Sequence, residues 1–221
     1  MRGIDISNWQ EGLVPSTLDI EFCICKATEG IDFVDWCCDG FIQNCIANGI
    51  PFGFYHFAGN DDPETEATFF MNVTKNYWGH GIPVLDWETN QSVNWVNRFV
   101  RKIYAEKGIW PWIYGNPWRF NQGGVEENCM RWIAAYPNIL HPHIDYDPGE
   151  PPETEGLVGC WQFASDGVVP GYDGDLDIDI FYGDINAWNA YCGKPIVDNG
   201  ENNKSQVLEN DDYKITVERK R

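Results

Sequence analysis

Eight short, apolar, β-prone runs punctuate the chain at residues 3–7, 22–27, 51–57, 82–87, 110–114, 131–136, 159–163 and 176–181. Three of the first gaps carry helical patterns. Residues 33–48 end at Gly49, residues 63–78 open with Asp-Pro and a Glu-rich turn, and residues 93–107 end at Gly108. Acidic starts and glycine stops are the signals expected of helix termini. Strand and helix in alternation predict right-handed βαβ units around a parallel sheet. Eight strands is the count of a closed β/α barrel.

The regular repeat fails near its end. The connection between the last two runs, SDGVVPGYDGD, is rich in Gly, Pro and Asp and holds no helical pattern; such residues build turns. The fold class expected is therefore α/β: an irregular TIM-like β/α barrel with eight strands, fewer than eight helices, and its last strands joined by loops. A helical segment at 185–191 closes it. Residues 1–195 form the barrel domain, and residues 196–221 read as a polar charged tail or linker.

Charge narrows the partners. The net charge is −19, and the segment from Val197 onward carries six acids against five bases, so nearly all of the acidity belongs to the barrel. A phosphate backbone or an anionic bilayer needs a basic face, which excludes nucleic acid and membrane surfaces as partners. Apolar residues make up 43% of the chain, enough to bury a large core and to exclude global disorder. No stretch reaches 18 uninterrupted apolar residues, and no apolar run follows the single Arg near the N-terminus. The product is expected to start out in the cytoplasm without a signal peptide.

Eight cysteines without CxxC spacing read as reduced, buried thiols, including Cys23, Cys25, Cys37, Cys38 and Cys45. HPHIDYD, which holds His141, His143, Asp145 and Asp147, reads as a surface loop. No metal site, no cofactor and no phosphate-cradling glycine loop is expected.

The acids have a pattern. Side chains at i and i+2 of a strand share a face. Asp86 and Glu88 therefore point together at the end of the fourth run, Asp175, Asp177 and Asp179 on the eighth, and Asp5 and Ser7 on the first. Asp175 belongs to the preceding loop. The first and eighth strands become neighbours when a barrel closes, and barrel active sites lie at the carboxyl ends of strands. Crowded carboxylates raise the pKa of at least one member, which leaves an acid beside a carboxylate. Such a pair is the equipment for glycosidic cleavage. Tyr55, Tyr114 and Tyr136, which precede polar loops, are candidates for stacking on sugar rings; Trp132, Gln162 and Asp179 complete the candidate substrate-binding set.

The runs GIDISNWQ, FCICKATEG, GIPFGFYHF, GIPVLDWET, WIAAYP, WQFAS and GDLDIDIF, in this order from Gly3 to Cys192, resemble glycoside hydrolase family 25. These are muramidases, or lysozymes, common among phage endolysins and autolysins. The resemblance implies an irregular β/α barrel that cleaves the β-1,4 bond between N-acetylmuramic acid and N-acetylglucosamine in peptidoglycan. By position it implies that Glu88 is the general acid, Asp86 its companion, and Asp5 and Asp177 the first- and eighth-strand aspartates. Asp86 or Asp177 would stabilise positive charge at the sugar carbon, and Asp5 would orient or set the field. Whether a carboxylate or the substrate's N-acetyl group attacks that carbon stays open at this point. The resemblance leaves a chitinase-like hydrolase and a non-catalytic glycan-binding barrel as alternatives. The place of action it implies is the bacterial wall, reached by holin-type release or as a mature extracellular form.

A barrel this acidic is repelled by anionic wall polymer. Wall-lytic activity should rise as ionic strength increases from about 20 to about 150 mM, because the Debye length shortens to near 8 Å. A turbidity assay on whole walls checks it, and a rate that only falls over that range refutes it.

Overall fold

The structure, a computed structural model, describes residues 1–194 and the backbone of an antiparallel ribbon, Gln206–Glu209 with Lys214–Val217. The polar tail read from residue 196 lies outside the described residues apart from that ribbon. Nine strands are described in the first part: β1 (Arg2–Ile6), β2 (Phe22–Glu29), β3 (Phe33–Val34), β4 (Phe52–Phe57), β5 (Ile82–Asp86), β6 (Trp112–Gly115), β7 (Arg131–Ala134), β8 (Val158–Gly167) and β9 (Leu176–Phe181). Five helices accompany them: α1 (Cys38–Asn48), α2 (Pro63–Val73), α3 (Val93–Lys107), α4 (Pro117–Phe120) and α5 (Ile185–Tyr191).

Eight strands close a barrel in the order β1, β2, β4, β5, β6, β7, β8, β9, and β9 returns to β1. The parallel sheet expected from strand and helix alternation gives way at the last strand. β9 runs antiparallel to both β8 and β1. Only the Gly- and Pro-rich segment 168–175 joins it to β8, and a parallel return needs a longer crossover. The consequence reaches the site: the amino end of β9, not its carboxyl end, lies at the open mouth beside the carboxyl ends of the other strands.

The helices also differ in detail. The helix expected from residue 33 starts at Cys38, because Phe33 and Val34 pair back onto Glu29 and Thr28 as β3. Asp35 then turns the chain, its Oδ1 accepting the Cys37 amide at 2.9 Å and its Oδ2 the Asn8 amide at 2.8 Å. The helix expected to reach residue 78 stops at Val73. Beyond it the chain turns so that Tyr77 and Trp78 pack edge-on against Phe54. Asp62 caps α2 and Ser92 caps α3. Gly49 and Gly108 end α1 and α3 in the left-handed conformation that glycine adopts without strain. α4 follows β6 as an unexpected single turn, while residues 135–157 between β7 and β8 contain no helix.

Two apolar layers result. The outer one lies between barrel and helices and includes Cys23, Cys25, Cys45, Phe54, Phe70, Trp87, Phe99 and Ile133. The inner one fills the lumen with Phe22, Ile24, Ile82, Val84, Trp112, Trp132 and Phe181. Gly3 and Gly53 face the lumen because nothing larger fits: a Cβ on Gly3 would lie 2.6 Å from the Phe22 ring, and one on Gly53 3.1 Å from Ile24. All eight cysteines are free thiols and Cys37 alone is not buried. No helix of the described residues is long and apolar enough to cross a membrane.

α5 plugs the bottom. Trp188 contacts Phe22, Trp112 and Phe181 at centroid distances of 4.8, 5.6 and 5.4 Å. Trp188→Ala should therefore cost roughly 3–5 kcal/mol in urea unfolding. Trp118→Ala, where the indole is 69% exposed, should change stability by less than about 0.5 kcal/mol. Equal effects would show that the plug does not close the core.

Candidate active site

At the open end the lumen changes character from apolar to acidic. Asp5, Tyr55, Asp86, Glu88, Tyr114, Trp132, Tyr136, Gln162 and Asp177 line one cavity of about 200 Å³. Strand alternation builds it. Ile82 and Val84 face the lumen on β5, so Asp86 does too, and Glu88 follows just past the strand. On β9, Phe181 faces the floor, Asp179 the level above it, and Asp177 the mouth. Asp5 pairs with Asp177 across the β1–β9 ladder, and Tyr114 and Asp86 are register partners on β6 and β5.

Nine of the ten residues singled out from the sequence thus converge, and the tenth, Asp179, is the wall beneath them. It is fully buried, with its Oδ1 accepting the Trp132 indole N–H at 2.8 Å. Trp132 is itself 2% exposed, so it forms the cavity wall and offers no open face for stacking. Gln162 is a hub. Its Oε1 accepts the Tyr114 and Tyr136 hydroxyls at 2.7 and 2.6 Å, and its Nε2 donates to Asp5 Oδ2 at 2.7 Å. Two phenol donors fix which way the amide points and hence which group faces Asp5. Tyr136 remains 53% exposed and presents a ring at the rim. Tyr55 is half-buried.

The electrostatics follow from burial. Asp5 and Asp86 are almost wholly buried, and loss of hydration pushes both carboxyls well above the ordinary aspartate range. Like charges add to this, Asp179 on Asp5 and Glu88 on Asp86. Asp179 is raised by burial as well, against the pull of the Trp132 hydrogen bond. Asp177 is raised to about 8 by burial first, then by Asp5 and Glu88. Glu88 stands at the rim, where solvent reaches the residue while the walls of the mouth strip part of its carboxylate's hydration. That raises its pKa, and the cations Arg119 and then Lys26 act in the opposite direction. Such a cluster holds protons near neutral pH and titrates as a unit.

Several residues of the mouth stand outside the set read from the sequence. Lys26 faces the lumen in register with Tyr55 and stands over the rings of Phe33 and Phe57 at 5.2 and 4.9 Å. The period of two from Phe22 and Ile24 is the signal that points to it. Arg119 reaches the Glu88 loop through main-chain carbonyls, for which a sequence has no signal. Exposed indoles follow β1 and β6 at the same end, Trp9 at 85% and Trp118 at 69%, and a third, Trp36 at 61%, follows β3. Among the described residues, no group of three or more His, Cys, Asp or Glu side chains is placed to hold a metal ion.

Comparison with known proteins bears on the family and the fold. The sequence model of Glycosyl hydrolases family 25 matches residues 4–172. The autolytic lysozyme of Clostridium acetobutylicum is 28% identical over 191 residues, covering 82% of this chain and 56% of that protein, so the chain spans little more than half the length of that relative. The crystal structure of a bacterial lysozyme from Streptomyces coelicolor superposes with a TM-score of 0.72 at 25% identity, covering 87% of this chain and 96% of that one. A muramidase from Acremonium alcalophilum gives a TM-score of 0.69 at 25% identity, covering 87% and 98%. The mixed eight-stranded barrel is the fold of these lysozyme structures, and the chain belongs to glycosyl hydrolases family 25.

Proposed function

We propose that the barrel cleaves the β-1,4 bond between N-acetylmuramic acid and N-acetylglucosamine in peptidoglycan, with Glu88 as the general acid. The observation that carries the reading is the mouth itself: one acid at the rim, cations beside it, and buried aspartates beneath it around a single cavity. Glu88 is the carboxyl of the set most open to solvent. It is placed to meet the bridging oxygen of a glycan lying across the mouth and to give up its proton as that bond breaks. The positive charge that develops at the sugar carbon is met by Asp86 or Asp177 in its ionised form, in the part of the site where charge counts most.

Asp5 acts less directly. Its carboxyl is held by Gln162, whose orientation Tyr114 and Tyr136 set, so it serves to fix the field around Asp177. The attack on the sugar carbon falls to a mouth aspartate or to the substrate's own N-acetyl group, the latter a known departure from the two-carboxylate scheme. The exposed rings of Tyr136, Trp9, Trp36 and Trp118 supply flat apolar surfaces of the kind that stack on pyranose faces. The place of action is the bacterial wall, with glycan strands as the partner.

Glu88→Gln keeps shape and removes the proton. Turnover of purified peptidoglycan should fall by roughly 10²–10⁴-fold with an unchanged melting temperature, the contribution typical of general acid catalysis. Mass spectrometry of the wild-type digest should show new reducing N-acetylmuramic acid ends. N-acetylglucosamine ends, peptide cuts or an active Glu88→Gln variant would refute the reading.

Proton-holding acids also cost stability. Asp177 binds its proton more tightly folded than unfolded, with a pKa near 8 against an ordinary 3.8. The stability it leaves intact at low pH is lost as pH rises through that window. Asp177→Asn should melt a few degrees above wild type at about pH 8 and together with it at about pH 4. Calorimetry at the two pH values checks this, and a difference independent of pH refutes it.

A further inference from the structure

Glu88 lies just beyond the end of β5, on loop backbone that the barrel ladder does not hold, yet a general acid must keep its direction within narrow limits. The contacts that hold this loop come from two sides. From the β4 side, the Gln91 amide donates to Gly59 O, while the Thr89 hydroxyl, 3.1 Å from Ala58 O, donates to Gln91 Oε1 at 2.6 Å. From the β6 side comes a single residue. Arg119 Nη2 donates to Glu88 O and Nη1 to Thr89 O, each at 2.6 Å.

The guanidinium is itself held. Its Cζ lies 5.2 Å from the centroid of the Trp87 ring, and Trp87 is wholly buried with its N–H on Gln91 O at 2.9 Å. Asn116 caps the turn that carries Arg119, accepting the Arg119 amide at 3.1 Å. Gly115 leaves the approach open: a Cβ there would stand 3.2 Å from Trp87 O and 3.4 Å from Arg119 Cδ. Planar, bidentate donation to two consecutive carbonyls is something a guanidinium can do and an ammonium cannot.

We infer that Arg119 is a positioning residue for Glu88: by gripping the Glu88 and Thr89 carbonyls while stacked on Trp87, it sets the direction of the acid and places a fixed positive charge behind it. This rests on the reading of Glu88 as the general acid. The charged and titratable groups around Glu88 are Asp86 on β5, Asp5 on β1, Asp177 on β9, Lys26 on β2, Tyr55 on β4, Tyr114 on β6, Tyr136 after β7, and Arg119 on α4. Burial favours the protonated form of Glu88, and the two cations, Arg119 first, favour the ionised form. Removing Arg119 therefore lets Glu88 keep its proton to higher pH.

The test uses the full chain on purified peptidoglycan, with kcat, KM and the pH profile of kcat measured for wild type, Arg119→Met, Arg119→Lys and Glu88→Gln. Arg119→Met should lose roughly 10–100-fold in kcat with KM within about threefold, as expected for a misdirected catalytic group. Its alkaline limb should move up by about half a pH unit or more. Arg119→Lys should return the limb to the wild-type position while recovering only part of kcat. A merely structural Arg119 would lower the melting temperature and the active fraction and leave the limb where it was, which overturns the inference. If Arg119→Met fails to fold, Arg119→Lys decides: kcat per active site equal to wild type overturns it, as does a loss that comes with a lowered melting temperature and active fraction, and reduced kcat per active site at an unchanged melting temperature supports it. An active Glu88→Gln variant overturns the general-acid reading instead, whatever the Arg119 variants do.

Discussion

The pairing of β1 with β9 is the contact on which the rest depends. It closes the barrel, and because β9 runs antiparallel it brings the amino end of that strand to the mouth. Asp5 and Asp177 thereby become register partners, and the three alternate lumen positions of β9 read from mouth to floor as Asp177, Asp179 and Phe181. A parallel β9 would reverse that gradient, sending Phe181 to the substrate and Asp177 into the apolar floor around Trp188. The short Gly- and Pro-rich connection that makes the barrel irregular is thus also what makes its last strand useful.

That arrangement stands against solvation. Carboxylates are costly to bury, and five of them are gathered at or just under one mouth. The lumen tolerates them in two ways. Some stay protonated, as burial pushes Asp5, Asp86, Asp177 and Asp179 upward. Specific donors also meet them: Gln162 on Asp5 and Trp132 on Asp179. Rigid apolar packing below, with the Trp188 plug and the glycines that admit Phe22 and Ile24, keeps this group from relaxing into water. The floor contributes no chemistry, yet it holds the mouth dry and fixed.

Much of this is legible in the sequence, and for identifiable reasons. A period of two in VLDWET and GDLDIDIF places Asp86, Glu88, Asp177 and Asp179 on lumen faces, because strand geometry leaves no other choice. Turn residues ahead of β9 signal a loop in place of a helix. What they do not carry is direction: the antiparallel return depends on how far the loop must travel in three dimensions. The start of α1 is hidden for a similar reason. Phe33 and Val34 fit a helical pattern, but tertiary pairing with β2 and the capture of the Asn8 amide by Asp35 override it. Gln162 has the place of a substrate ligand on the seventh run, yet its amide is spent on Asp5 and two phenols.

The run Asp-Trp-Glu carries the final step. Alternation sends Asp86 and Glu88 to the lumen and Trp87 to the opposite face, where it lies buried 6.4 Å from Phe120. The tryptophan between the acids is therefore not a sugar platform. It is the anchor of the segment on the helix side, and it reaches the loop of the acid twice: through its own N–H to Gln91 O, and through the guanidinium stacked on its ring. An acid that must stand at the open rim cannot be held by burial of its own side chain. Here the holding is transferred to its backbone, and the buried residue next to it supplies the rigidity that the exposed one lacks.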